Sequence, residues 1–327
     1  TVSDGTDTDT ETLIITVIGI NDAPSAQNDV GVIVEGGTLA VANSANANVS
    51  GSYDATGEHS GDVLHTSSSS HSDSDADASA SLTVTAIRKG QESGSGDSGT
   101  VGVALTGTYG QLTIAADGSY NYVANQSAAN ALAAGESAND YFTYTVSDGT
   151  ATDTAQITIT VLGLNDSPSA TADTGYIQEG KTLTVANSGS AVAGTTTGSN
   201  TGDITDNDTD ANNDSLTVTH IQHSGAGSST SVTNVTYNHG SATSVSGTYG
   251  TLTIGSDGSY QYVASSDIND LDAGEANVTD VFTYTVSDGN GGTDTETLTI
   301  NVIPSQDLTA RNDTGTVNED ATLTVAD

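Results

Sequence analysis

The segment GTYGTLTIGSDGSYQYV, residues 247–263, carries the pattern that decides the fold. Apolar and polar residues alternate on both sides of a central Asp-Gly, where glycine accepts the positive φ of a two-residue hairpin turn. The pattern occurs again at residues 107–123 as GTYGQLTIAADGSYNYV, with Asp117-Gly118 at the turn. Gly107 and Gly110 are expected to bend one long strand rather than to separate two strands. Short alternating segments of this kind predict an all-β protein.

Three copies of TVSDG, at residues 1–5, 145–149 and 285–289, indicate internal repeats spaced by 144 and 140 residues. A period of this length is that of a whole domain rather than of a solenoid unit. It predicts the last strands of one repeat (1–22), two complete repeats (23–164 and 165–304) and the first strands of a following repeat (305–327). We therefore expect a section of a longer array, in which a missing signal peptide says nothing about export.

Each complete repeat is predicted to be a seven-stranded β-sandwich. In the first repeat the strands are expected near residues 28–34, 38–43, 81–88, 101–115, 119–124, 140–147 and 154–162, with a helical turn within 126–136. The inward-facing residues should include Phe142, Tyr144, Val146, Ile157, Ile159 and Val161. Seven antiparallel strands are typical of an immunoglobulin-like fold. Because seven is odd, the chain leaves each sandwich opposite to where it arrives, so tandem copies can form an extended array.

The charge of the chain excludes several classes of function. Four Lys and Arg residues stand against 42 Asp and Glu residues, for a net charge of -38. No basic surface is available to bind nucleic acid or an anionic membrane, and the apolar run at 13–20 is far shorter than the ~18 residues of a membrane span. Acidic chains are often disordered, but the alternation favours an ordered one. With no cysteine, bound cations are the expected cross-links, and carboxylates suit Ca²⁺.

The densest acidic segment is TDNDTDANNDS at residues 205–215, with four aspartates in nine positions. Strand parity assigns it to the end of the second repeat where the chain arrives, which we call the leading end. The linker Asn165-Asp166 and the turn with Asp288 are assigned there as well. The opposite, trailing end of the first repeat is expected to carry Glu35, Glu136 and Asp140. These groups should converge at one domain junction and bind Ca²⁺, which takes about 6–8 oxygen ligands.

Three segments together resemble the VCBS repeats of large bacterial surface adhesins, many of them secreted RTX proteins. They are residues 165–185 (NDSPSATADTGYIQEGKTLTV), 247–263 and 272–289 (DAGEANVTDVFTYTVSDG). The resemblance covers essentially all of the chain outside its long insertions. It implies extracellular, cadherin-like, calcium-binding β-sandwiches in tandem. The cadherin arrangement of linker, trailing-end glutamate and Asp-x-Asp matches Glu35, Glu136, Asn165, Asp166, Asp208 and Asp210.

The candidate metal ligands are these residues and their counterparts in the other repeats. The full set is Glu35, Glu136, Asp140, Asn165, Asp166, Asp208, Asp210, Asp214, Asp288, Asn21, Asp22, Asp75, Asp77, Asp148, Glu179, Glu275, Asp280 and Asp307. The first repeat has Ser79 or Ala80 where the second has Asp214, and the last linker reads Ser305-Gln306-Asp307, so calcium is less expected at those two junctions. The alternative is that the acids only solvate the surface and form turns.

No enzymatic site is expected. GDSG at residues 96–99 is similar to the nucleophile turn of trypsin-like proteases, but it lies in a low-complexity loop and no His and Asp complete a triad. The expected function is a calcium-stiffened stalk or filament of an extracellular adhesin or biofilm-matrix protein. The alternative is a carbohydrate- or cell-binding module that acts through its loops. The expected partners are adjacent repeats and further copies of the chain in fibres, without nucleic acid or membrane insertion.

Overall fold

The computed structural model describes residues 1–43, 47–48, 60–65, 71–77, 80–187, 190–191, 202–233, 242–266, 275–305 and 315–324. The chain divides into two compact units, Thr1–Asn165 and Asp166–Asp327. Nearly all regular structure in these residues is β-strand, so the predicted all-β class is confirmed. Within the described residues, no helix is long and apolar enough to cross a membrane.

The first unit contains twelve strands and one short helix. They are β1 (Val2–Ser3), β2 (Thr8–Asp9), β3 (Asp29–Val34), β4 (Thr38–Val41), β5 (Ala47–Asn48), β6 (Thr83–Lys89), β7 (Ser98–Gly99), β8 (Leu105–Thr106), β9 (Gln111–Ile114), β10 (Tyr120–Val123), α1 (Ser127–Asn130), β11 (Ser137–Ser147) and β12 (Thr152–Leu162). The helix lies within the predicted helical turn.

The second unit repeats this order. Its strands are β13 (Asp173–Gln178), β14 (Thr182–Ala186), β15 (Ser190–Ala191), β16 (Thr217–His223), β17 (Thr230–Ser231), β18 (Thr243–Ser246), β19 (Gly250–Ile254), β20 (Tyr260–Ala264), β21 (Val278–Ser287) and β22 (Thr293–Ile303).

Each unit contains two five-stranded sheets. In the first unit the strand orders are β3-β12-β11-β6-β7 and β5-β4-β10-β9-β8, and the second unit has the same orders with its own strands. The expectation of purely antiparallel strands is wrong, because β3 pairs with β12 in parallel, as β13 does with β22. The first and last strands of each sandwich run in the same direction, so they can share a sheet only as a parallel pair.

The alternating apolar residues form the core of each unit. Phe142, Tyr144, Val146, Ile157, Ile159 and Val161 are all fully buried, as predicted. The Asp117-Gly118 hairpin is also present, with Gly118 at a φ of 87°. Its connection is one residue longer than expected, because the Ala115 N–H donates to the Ser119 carbonyl. The alternation thus predicted which faces are buried, and burial of these large side chains is the main stabilising contribution to each sandwich.

The segment GTYG is a tight turn between two strands, so the expectation of one bent strand is wrong. β8 pairs antiparallel with β9, and the Gly107 N–H donates to the Gly110 carbonyl at 2.7 Å. A Cβ on Gly107 would lie 2.4 Å from the Asp140 carboxylate, so this close approach requires glycine. The second unit has the same turn between β18 and β19.

A buried carboxylate holds this turn closed. Asp140, from β11, accepts hydrogen bonds from the N–H groups of Thr108, Tyr109 and Gly110 at 2.7–3.0 Å and from the Tyr122 hydroxyl at 2.6 Å. In the second unit, Asp280 accepts from Thr248, Tyr249 and Tyr262 in the same way. Four hydrogen-bond donors bind one buried acid, which thereby holds closed a turn that is distant from the acid in sequence.

Asp140→Ala should therefore destabilise the first unit. We expect the free energy of unfolding to fall by about 3 kcal/mol or more, because buried donors left without a partner are costly. The measurement is the urea midpoint of that unit's unfolding transition. Asp97→Ala, at an exposed position, is the control and should change the free energy by less than ~0.5 kcal/mol. Equal midpoints for the two variants would show that the carboxylate does not hold the turn.

Candidate metal centre

The segment that leads into the first strand of each sandwich is held by carboxylates. We call residues 25–27 and 169–171 the leading arms. In the second unit, Ser169 forms a β-bridge with Thr209, the Ala170 N–H donates to Asp294 at 2.9 Å, and the Thr171 N–H donates to Asp208 at 2.8 Å. The Asp-x-Asp loop thus lies against the arm through its first aspartate.

The first unit repeats these contacts and sets the alignment of the two loops. Ser25 bridges to Ser74, the Ala26 N–H donates to Asp153, and the Gln27 N–H donates to Asp73 at 2.7 Å. Asp73 and Asp75 therefore correspond to Asp208 and Asp210. In this register Asp214 corresponds to Ser79, which lies outside the described residues.

Three carboxylates come together at the leading end of the second unit. One ligand oxygen from each of Asp210, Asp214 and Asp288 lies within 4.8 Å of the others. Asp210 accepts the Asn212 and Asp214 N–H groups through Oδ1, while its buried Oδ2 has no hydrogen-bond partner. Asp288 is 5% exposed and accepts N–H groups of its own turn. Loop and turn bonds thus hold three acids at a spacing that one divalent cation could bridge.

The electrostatics of the leading ends favour a cation. Burial raises the pKa of Asp208 to about 6, although the Thr171 hydrogen bond opposes the rise and Asp294 adds to it. Burial, and then the charge of Asp210, raise the pKa of Asp166. Burial also raises the pKa of Asp73 to about 7. Burial makes the ionised form of each of these acids unfavourable when no positive charge is nearby. A bound divalent cation would stabilise the ionised form.

The corresponding residues of the first unit also gather at its leading end. The Asn21 side chain donates to Asp148 at 2.9 Å, and the Asp22 N–H donates to Asp77 at 3.0 Å. Asp75 accepts the Asp77 N–H at 2.7 Å. Hydrogen bonds from its own turn, the largest from Ala151, lower the pKa of the exposed Asp148. Carboxylates are present here too, but the position of the third one is occupied by Ser79.

The trailing ends hold the predicted glutamates. Glu35 donates its N–H to the Leu162 carbonyl and accepts the Leu164 N–H through its carboxylate. Gly163 donates to the Glu136 carbonyl at 3.0 Å. In the second unit the Glu179 carboxylate accepts the Ser305 N–H at 2.8 Å. Glu275 is exposed three residues before β21, and Asp307 lies outside the described residues.

Two predicted ligands have a different role. Asp140 and Asp280 are 2% and 0% exposed, and their oxygens accept the hydrogen bonds of the GTYG turns. Their buried oxygens are engaged by the backbone of these turns, and neither residue belongs to the group formed by Asp210, Asp214 and Asp288. Asp140 was expected at the trailing end because its strand was predicted to begin at residue 140, whereas β11 begins at Ser137.

Sequence reasoning missed a second group of acids that are buried near the leading ends. Asp29, Asp62, Asp173 and Asp203 are at most 1% exposed. Their signal was present: Asp29 and Asp173 share one repeat position, and Gly-Asp-Val at 61–63 corresponds to Gly-Asp-Ile at 202–204. These acids were overlooked because an isolated Asp next to a strand is usually read as a turn residue.

The chain matches the bacterial cadherin-like domain at residues 21–163 and 165–304, and it therefore belongs to that family. It contains two tandem cadherin-like domains. A relative, the calcium-binding lectin RapA2 of Rhizobium johnstonii, is 29% identical over 201 residues, which are 61% of this chain and 73% of that protein.

Two solved structures that are similar to the chain have low TM-scores. Human CDH23 EC21-23 is 13% identical, with a TM-score of 0.37, over 86% of this chain and 69% of that one. An endo-fucoidan hydrolase from glycoside hydrolase family 107 is 17% identical, with a TM-score of 0.26, and the match covers 89% of this chain and 30% of the hydrolase. These similarities do not bear on function.

Asp210→Ala should weaken calcium binding more than Asp75→Ala. The first substitution removes one of three close carboxylates, and we expect a loss of affinity of about tenfold or more, because affinity depends on ligand charge. Asp75 is the matched control, since it occupies the same loop position beside Ser79 instead of a third acid. Isothermal titration calorimetry of both variants measures the difference. Equal losses would show that the two loops are aligned incorrectly or that the cluster does not bind the ion.

Proposed function

We propose that the chain is a calcium-binding repeat region of an extracellular bacterial adhesin, in which cadherin-like domains form a stalk or filament. The observation that carries this proposal is the group of Asp210, Asp214 and Asp288 within 4.8 Å. The family match and the calcium-binding relative support it. The resemblance to VCBS repeats of RTX adhesins supports the finer assignment to a surface or biofilm-matrix protein.

The proposed mechanism is mechanical. Without metal, the carboxylates at the domain ends repel one another and leave the array flexible. With Ca²⁺, opposite charge is shared among them and the array stiffens. The connection between the two units is short, which favours such coupling: Leu164 bonds to Glu35 of the first unit, and the Asp166 N–H donates to Asn212 of the second. Nothing in this role requires an enzyme, and we propose none.

The second candidate is a carbohydrate-binding module. The similarity of the chain to a calcium-binding lectin favours it. An open cleft of about 700 Å³ in the first unit, lined in part by Asp73, Asp75 and Asp77, is a suitable location for a calcium-bridged sugar. Retention of polysaccharide by the chain on a calcium-loaded column, compared with retention in chelator, separates this candidate from a stalk.

Removal of Ca²⁺ with a chelator should lower the melting temperature and change the small-angle scattering profile. An ion that binds only the folded state stabilises it by mass action, by about 2.7 kcal/mol at a free concentration of 100 Kd. Sodium chloride at matched ionic strength is the control, because it only screens charge. If neither the melting curve nor the scattering profile responds to the chelator, the acids are merely solvated and the calcium proposal fails.

Chains of many such repeats should associate with one another in millimolar Ca²⁺ and disperse in chelator. Lysine and proline, which commonly protect strand edges, are scarce here: the sequence has three prolines, and its lysines are Lys89 and Lys181. The chain carries a net charge of -38, so divalent cations should remove the repulsion that keeps chains apart. Light scattering of a multi-repeat chain across a calcium titration measures this, with magnesium in parallel. If the light scattering does not change with calcium concentration, the chains do not associate and each remains a separate rod.

A further inference from the structure

Asp29 and Tyr144 form a buried acid–tyrosine pair at the start of the first sandwich. Both residues are 0% exposed. The Tyr144 hydroxyl oxygen lies 2.7 Å from Asp29 Oδ2, 2.8 Å from the Gln27 carbonyl and 3.1 Å from the Val63 carbonyl. On its other side, Asp29 Oδ1 accepts the Ser60 hydroxyl at 2.8 Å.

The number of protons in this group is too small if Asp29 is ionised. A tyrosine hydroxyl has one hydrogen to donate, whereas a carbonyl and an ionised carboxylate can only accept. If the hydrogen goes to either the Gln27 carbonyl or the Asp29 carboxylate, the other acceptor faces the hydroxyl oxygen at 2.7 or 2.8 Å with no hydrogen between them. A protonated Asp29 supplies the missing hydrogen and donates it to the tyrosine oxygen.

The second unit repeats the arrangement with its own residues. The Tyr284 hydroxyl lies 2.9 Å from the Thr171 carbonyl and 3.0 Å from Asp173 Oδ2. Tyr284 is 0% exposed and Asp173 is 1% exposed. Gln27 and Thr171 are the last residues of the two leading arms, so in both units the tyrosine binds the carbonyl of the arm.

The surroundings of Asp29 oppose a negative charge. Burial raises its pKa from 3.8 to about 8, against the hydrogen bonds of Tyr144 and Ser60, and the charges of Asp73 and Asp62 add to the rise. Burial, together with Asp29 itself, also raises the pKa of Tyr144, so the tyrosine keeps its proton. The titratable groups that interact with this pair are Asp62, Asp73, Glu92 and Tyr120. Further out, His65 lies beside Asp62, His71 beside the Asn28 carbonyl and Asp153 near Asp73.

We propose that Asp29 and Asp173 are proton-binding sites that each hold a carboxylic acid at neutral pH and thereby fasten the leading arm to its sandwich. The acid donates to the tyrosine, and the tyrosine donates to the carbonyl of the arm. Loss of the proton leaves one hydrogen for two acceptors and adds a charge beside Asp62 and Asp73. The arm is then released at alkaline pH. This inference does not rest on calcium binding.

The raised pKa of Asp29 fixes how the stability of the folded chain depends on pH. The folded chain binds this proton more tightly than the unfolded chain does, so its stabilising contribution is fully present below pH ~4 and is lost as the pH rises through about 8. Between these two pH values the Asp29 proton makes the folding equilibrium constant fall by about tenfold for each unit by which the pH rises.

Asp29→Asn and Asp173→Asn are the test variants, because an amide has N–H donors and cannot ionise. Asp97→Asn, at an exposed position, is the matched control. Infrared difference spectroscopy in calcium buffer should show the carbonyl band of a protonated carboxyl group at pH 7 in the parent and in the control. The band should diminish in each single variant and, in the parent, disappear as the pH rises through about 8. Urea midpoints between pH 5 and 9 should depend less on pH in the variants than in the control.

Two results would overturn the proposal. One is the absence of a protonated carboxyl band at pH 7 in the parent protein, which requires no variant to fold. The other is a band and a pH dependence of the urea midpoint that are the same in Asp29→Asn, Asp173→Asn and Asp97→Asn. A weaker band and a weaker pH dependence of the urea midpoint in the two test variants alone support the assignment.

Discussion

Carboxylates have to be buried in this protein with almost no basic side chains to neutralise them, and much of the structure depends on that constraint. The chain has four Lys and Arg residues and 42 Asp and Glu residues. Even so, the buried acids include Asp29, Glu35, Asp62, Asp140, Asp173, Glu179, Asp203, Asp280 and Asp288. A buried charge without compensation is strongly destabilising. Each acid therefore needs hydrogen-bond donors, a proton or a cation.

Within the sandwiches, hydrogen-bond donors from the backbone compensate several of these acids. Asp140 and Asp280 collect the N–H groups of the GTYG turns, and Asp73 and Asp208 each accept an N–H of a leading arm. These contacts join segments that are distant in sequence, as disulfides do in many small secreted domains. A chain without cysteine thus uses buried aspartates as its internal cross-links.

The two units share these internal acids and differ in others. His223 lies 3.2 Å from Asp280 in the second unit, whereas the corresponding position of β6 is Lys89. Asp214 completes the carboxylate group of the second unit, whereas the first has Ser79 at that position. The acids that hold the fold are the same in both copies, and the acids that could bind a cation are not. The two repeats therefore share one fold but carry different groups of carboxylates at their leading ends.

The sequence by itself determined the features that local periodicity and repetition report. The repeat length follows from the recurrence of TVSDG along the chain. The buried faces of β11 and β12 and the Asp-Gly hairpins follow from residues close together in the chain. The Asp-x-Asp loop and the linker were also recognisable as groups of acids, because composition and spacing mark them.

Only the tertiary structure decided what each acid contacts. The N–H donors to Asp140 lie 30 to 32 residues before it, and the hydroxyl group beside Asp29 comes from Tyr144, 115 residues away. The tertiary structure also decided the parallel pairing of β3 with β12, which joins the two ends of a domain. An aspartate looks the same in the sequence whether it closes a turn, holds a proton or faces a cation. The number of donors around the folded side chain makes the difference, and those donors are brought there by strands that are distant in sequence.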